Sequence, residues 1–132
     1  MINFIIILLI MSIQDKAYEL RDFEWKNRLV LIGGENLDMI ENQALEFLKM
    51  SSKNNDRKLL IFQWNDKYQA FYEREKDYIL KESNYKNDFE IRLYGLDGGV
   101  KDQREEMVRP QRIYDQIDSM PMRIRELRNK SD

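Results

Sequence analysis

Arg28–Gly34 (RLVLIGG) and Arg57–Trp64 (RKLLIFQW) are short, continuous apolar runs, the pattern of strands buried on both faces. Between them Leu37, Ile40, Ala44, Leu45, Phe47 and Leu48 recur at helical spacing. Asn36 is placed to cap that helix and Asp38 falls in its first turn, so one amphipathic helix is expected from there to about Met50. SSKNND, which follows, has the composition of a loop. Strand, helix, strand in that order predicts a right-handed βαβ unit whose strands pair in parallel.

Beyond Trp64 the pattern weakens. Asn65–Asp88 holds many aromatics but no clean period, and reads as an excursion with a helical turn or a short strand in it. It returns at Phe89–Tyr94, where Phe89, Ile91 and Leu93 alternate with Glu90, Arg92 and Tyr94 as in a half-buried strand. Asp97-Gly98-Gly99 tolerates the positive φ of a hairpin turn and leads into a short strand at about Val100–Gln103. Pro110 then suits the first turn of a helix faced by Ile113, Ile117 and Met120, until Pro121 interrupts it and starts a final turn or helix. Upstream, Asp15–Asn27 is an irregular or helical lead-in, and Tyr18, Phe23, Trp25, Trp64, Phe71 and Tyr72 are expected in the core and at its rim.

A βαβ unit, a ββ hairpin and a C-terminal helix assemble into an α/β domain with a mixed four-stranded sheet flanked by helices. The thioredoxin-like fold is the best-known arrangement of that order, and a small ferredoxin-like sandwich is its competitor.

The first residues differ from all of this. From Phe4 to Ile13 the chain is almost wholly apolar and carries no ionisable side chain. Roughly ten such residues fit the apolar region of a signal peptide and fall short of the ~20 of a membrane-spanning helix. The expectation is a leader over residues 1–14, one domain over 15–132, and a periplasmic or secreted location. No Lys or Arg precedes the apolar run, and Gln14 stands where a small residue is usual before the cut. Without Cys it is no lipoprotein leader.

Composition narrows the chemistry. The 132 residues include no Cys and no His, which excludes thiol nucleophiles, disulfides, Cys/His zinc sites and imidazole bases. The 22 basic and 24 acidic residues leave a net charge of −2, with no basic field for nucleic acid or an anionic membrane. No loop carries the acidic spacing of a Ca²⁺ site, so neither a metal nor a cofactor is expected.

YGLDGGVK, followed after about twenty residues by IDSMPMRIREL, resembles the family called domain of unknown function 4174. Its members are mostly short exported bacterial proteins, with related domains in vertebrate extracellular sushi-repeat-containing proteins. The resemblance rests on Gly95, Asp97, Gly98, Gly99, Lys101, Ile117, Asp118, Met120, Pro121, Met122, Arg123 and Glu126, with Arg28 and Arg57 leading two strands. It implies a thioredoxin-like fold. Gly33-Gly34-Glu35-Asn36 stands where thioredoxins carry their CxxC, so it implies that fold without its redox chemistry.

Asp97, Gly98, Gly99, Lys101, Arg123 and Glu126 are the candidate ligand-binding residues, and no catalytic residue can be named. The hairpin reads either as a turn with a salt-bridging Lys101 or as a small anion site made by backbone N–H groups and the Lys101 ammonium. Arg123 reads either as a helix-surface partner of Glu126 or a buttress of the hairpin, or as a planar fork for a carboxylate or phosphate. The functional expectation is a non-redox domain that binds a partner protein or a small anionic ligand in the cell envelope. The alternative is an enzyme using Asp97, Lys101, Arg123 and Glu126 for acid–base or phosphoryl work.

Overall fold

The computed structural model describes residues 17–64, 68–70, 79–81, 85 and 87–131. The expected leader, Phe71 and Tyr72 lie outside them. The strands are β1 (Ala17–Tyr18), β2 (Arg28–Gly34), β3 (Leu59–Trp64), β4 (Tyr68–Ala70), β5 (Ile79–Leu80), β6 (Phe89–Tyr94) and β7 (Val100–Arg104). The helices are α1 (Leu37–Leu48), α2 (Ser51–Asp56), α3 (Pro110–Asp118) and α4 (Pro121–Ser131), preceded by a 3₁₀ turn at Leu20–Phe23.

The expected four-stranded mixed sheet is present as β3-β2-β6-β7. β2 runs parallel to β3, from Arg28 opposite Leu59 to Ile32 opposite Gln63, and β6 is antiparallel both to β2 and to β7. This order, with the third of the four strands reversed, is that of a thioredoxin-like fold. Three short strands widen the sheet on the β3 side, in the order β1-β5-β4, and two of them, β4 and β5, come from the excursion after Trp64.

β2 is buried along its whole length. On one face Val30, Ile32, Leu59, Ile61, Ile91 and Leu93 meet Ile40, Ala44 and Phe47 of α1 and Ile113, Tyr114 and Ile117 of α3. On the other, Leu29, Leu31, Leu60, Phe62 and Tyr94 pack against Phe23 of the 3₁₀ turn and against Tyr68 and Leu80, the side chains of β4 and β5 that lie on that same face. Gly34 closes β2 at a φ of 137°, and a Cβ there would sit 2.1 Å from the Asp88 carbonyl oxygen, so only glycine fits.

Three local expectations are corrected. SSKNND is helix α2, because Asn54 is buried and its amide donates to the Phe47 carbonyl (2.9 Å) while accepting from the Tyr114 hydroxyl. The second parallel strand begins at Leu59, since Arg57 and Lys58 form the turn that leaves α2. β6 is buried on both faces: Glu90 is 1% exposed and accepts from Gln103 Nε2 (3.1 Å) and Asn87 Nδ2 (3.3 Å). The aromatics divide. Phe23 is core, Trp64 is half-buried, and Trp25 is 63% exposed at a φ of 65°, held there by its N–H donating to the Leu96 carbonyl (2.7 Å).

Candidate functional site

β2 and β3 start, and β6 ends, at the same end of the sheet, so Arg28, Arg57 and the β6–β7 turn come together there. Pro110 starts α3 at its first position and Pro121 starts α4, and the tight joint between them brings Asp118, Arg123 and Glu126 to that end.

Arg123 is 1% exposed, and its guanidinium is fully engaged. Nε donates to Asp118 Oδ1 (3.0 Å), Nη2 to Asp56 Oδ2 (2.6 Å), and Nη1 both to the Asp56 carbonyl (2.9 Å) and to Glu126 Oε2 (3.3 Å). Arg57 grips Asp118 with two bonds, from Nε (3.1 Å) and Nη2 (2.8 Å), and lies over the Tyr114 ring. Arg28, equally buried, reaches both Glu126 oxygens and donates to the Arg57 carbonyl (2.9 Å), while its Nε is buried without a hydrogen-bond partner. Lys130, from the last turn of α4, closes the network on Asp56.

Removing two guanidinium groups from water is costly, and the carboxylates around them offset it only because nearly every donor is satisfied. The carboxylates respond accordingly. Hydrogen bonds from Lys130 and then Arg123 hold the Asp56 carboxyl down at about 2. Burial alone would raise Asp118 and Glu126, but the bonds from Arg57 and Arg28 respectively, reinforced by Arg123, hold both below the usual carboxylate range. Burial pushes the Tyr114 hydroxyl up to about 12 against the opposing charge of Arg57.

The hairpin is built differently. Asp97 Oδ1 accepts from the Gly99 N–H (3.0 Å) and Oδ2 from Lys101 Nζ (2.8 Å), and that ammonium and then the amide keep the Asp97 carboxyl low. The Gly98 N–H donates to the Gly95 carbonyl (3.1 Å), with Gly98 at a φ of 82°. Both glycine N–H groups therefore serve the turn itself.

Between this hairpin and the start of α4 lies a mostly apolar cleft of about 360 Å³, lined by Arg28, Gly95, Leu96, Asp97, Lys101, Met120, Pro121 and Met122. Of the candidate residues, Asp97 and Lys101 line it, Gly98 and Gly99 complete the turn beside it, and Arg123 and Glu126 are not among its walls. Arg123 supports the carbonyl of Asp56 at the end of α2 instead of one in the hairpin. Asp56 and Arg28 are the parts that sequence reasoning left out of the site. Arg28 had a signal, an arginine opening an otherwise apolar strand; Asp56 sits in the polar run read as a loop. Among the described residues no group of three or more acidic side chains is placed to hold a metal ion.

An α/β domain with thioredoxin-like strand order, no cysteine and an arginine–carboxylate network at one end of its sheet is a non-thiol variant of that fold. The chain belongs to the family of the domain of unknown function DUF4174, whose profile matches residues 19–126. No curated protein and no solved structure matches it.

Proposed function

We propose that this chain is an exported binding domain whose ligand or partner seats in the cleft between the β6–β7 hairpin and α4, and that it performs no thiol chemistry. One observation carries the reading. The charged side chains that could make a reactive site are spent on each other, whereas the cleft beside them is open, mostly apolar, and within the size range of small-ligand pockets. The competing reading, acid–base or phosphoryl chemistry, needs Arg123 and Glu126 to meet Asp97 and Lys101, and their bonds run to Asp56, Asp118 and Arg28. Export is supported by the apolar run from Phe4 to Ile13, and among the described residues no helix is long and apolar enough to cross a membrane.

The test compares capture of envelope components by the chain and by a Met122→Lys variant, which puts a charge on the apolar wall. A component retained by the first and lost by the second, with unchanged circular dichroism, is the expected result; equal capture by both removes the cleft from the function. Mass spectrometry of the protein in its native envelope checks export, and an intact Met1 in a cytosolic fraction overturns it.

A further inference from the structure

We infer that the cleft takes an aliphatic monocarboxylic acid, its chain against Leu96, Met120, Pro121 and Met122 and its carboxylate between Arg28 and Lys101. This rests on reading the cleft as the binding site and adds the chemistry of what enters it.

Four features of that end of the molecule converge on one negative charge. Arg28 forms part of the cleft wall, is 1% exposed, and keeps an Nε–H for which the protein supplies no acceptor. A buried donor in that state is unfavourable, and a ligand oxygen is the group that would relieve it. The network behind the wall sets Arg28, Arg57, Arg123 and Lys130 against Asp56, Asp118 and Glu126, one positive charge in excess. The first turn of α4, which contributes Pro121 and Met122 to the cleft, contains no acidic residue of its own to meet the positive end of the helix dipole. Lys101 lines the cleft with an ammonium whose only bonded partner in the hairpin is the half-exposed Asp97.

The rest of the cavity sets the body of the ligand. Its lining is mostly apolar and includes two methionines, whose unbranched side chains adapt to a flexible chain. A space of about 360 Å³ falls in the range of small-ligand sites. Decanoate offers a flexible apolar chain with one carboxylate, and decanamide matches it without the charge.

The experiment titrates the chain, labelled at its methionine methyls, with decanoate, decanamide, N-acetyl-leucine and N-acetyl-leucinamide, and follows the Met120 and Met122 signals. Decanoate is expected to shift both saturably and to bind at least ~10-fold more tightly than decanamide, the worth of one charge-assisted hydrogen bond. Equal binding of decanoate and decanamide overturns the carboxylate inference and leaves the cleft as a binding site. No shift with any of the four compounds overturns both. Tighter binding of N-acetyl-leucine than of decanoate overturns the aliphatic body in favour of a peptide carboxyl terminus. Asp97→Asn keeps the oxygen that the Gly99 N–H needs and frees Lys101, so it should tighten decanoate about two- to five-fold and leave decanamide unchanged. Unchanged decanoate affinity there overturns the placing of the carboxylate beside Lys101.

Discussion

The arginine–carboxylate network and the Asp97–Lys101 hairpin stand on either side of one cleft and use the same chemistry, yet they differ in what water can reach. Arg123 is 1% exposed and holds three elements together, whereas the Asp97 and Lys101 side chains are 45% and 35% exposed and belong to one turn. In the network, taking a carboxylate away strands the buried Arg28 or Arg123 guanidinium where it cannot be rehydrated, even though Asp56 and Asp118 themselves keep contact with water. In the hairpin, solvent replaces whatever partner is lost. Ion pairs of similar length therefore hold the fold together on one side of the cleft and remain available to a ligand on the other.

Arg123→Met is the most severe way to break the contrast. It removes the guanidinium that Asp56, Asp118 and Glu126 share, and, because those carboxylates keep their other cationic partners and Asp56 and Asp118 keep contact with water, should lower unfolding free energy by about 1–3 kcal/mol in urea titration. A loss below about 1 kcal/mol would mean that the network is no more coupled than a surface pair.

Acid should separate the two regions next. The Asp56 carboxyl lies at about 2, against 3.8 for the free group, and Asp118 and Glu126 are also held low. Their folded values are depressed, so the unfolded chain binds more protons in that interval and stability rises with pH through it. The Asp56 contribution is complete above about 4 and lost as pH falls through about 2. Urea midpoints measured across that interval should drop steeply in the parent chain and less in Asp56→Asn, while Lys101→Ala, which releases only the low Asp97 carboxyl at an exposed turn, should depart from the parent less than Asp56→Asn does.

Gly98→Ala sharpens the comparison from the hairpin side. At a φ of 82°, with a Cβ 2.8 Å from Glu24 Oε1, alanine is strained, but the carboxylate can swing away, so a loss of about 1 kcal/mol is expected in thermal melts. Smallest of all, Lys101→Ala should change stability by about 0.2–1 kcal/mol, and a larger loss would place the hairpin pair in the same energetic class as the network.

Most of the four-strand core was readable because its signals are local: two apolar runs around a helical period, an alternating strand, a glycine turn, and prolines at the starts of α3 and α4. Asp97 and Lys101 were also readable as a pair, four residues apart across a turn. The network was not. Asp56, Asp118 and Arg123 are separated by 67 residues at the widest, and nothing in the run around Asp56 distinguishes it from a solvated loop. Arg123 and Glu126 pointed to each other at helical spacing, which is correct, but that pair is the weaker part of what Arg123 does. α2 was missed for a related reason: a buried Asn54 between Phe47 and Tyr114 does what apolar periodicity does elsewhere. Glu90 is buried with Gln103 and Asn87, and Tyr94 in a cluster with Phe23, Tyr68 and Leu80, contacts that alternation alone, which reads as a solvated face, does not reveal.

The left-handed backbone at Trp25 gives this molecule two optically distinct reporters. Trp64 stacks edge-on with Tyr68 and Tyr85 at ring separations of 5.1 and 5.2 Å, so its emission should be blue-shifted and shielded from iodide. Trp25 projects into water while its N–H is tied to Leu96, a wall of the cleft, so its emission should be red-shifted and readily quenched. A ligand that tightens the hairpin would change the lifetime or anisotropy of the exposed indole and leave the shielded one alone, whereas global unfolding would change both together.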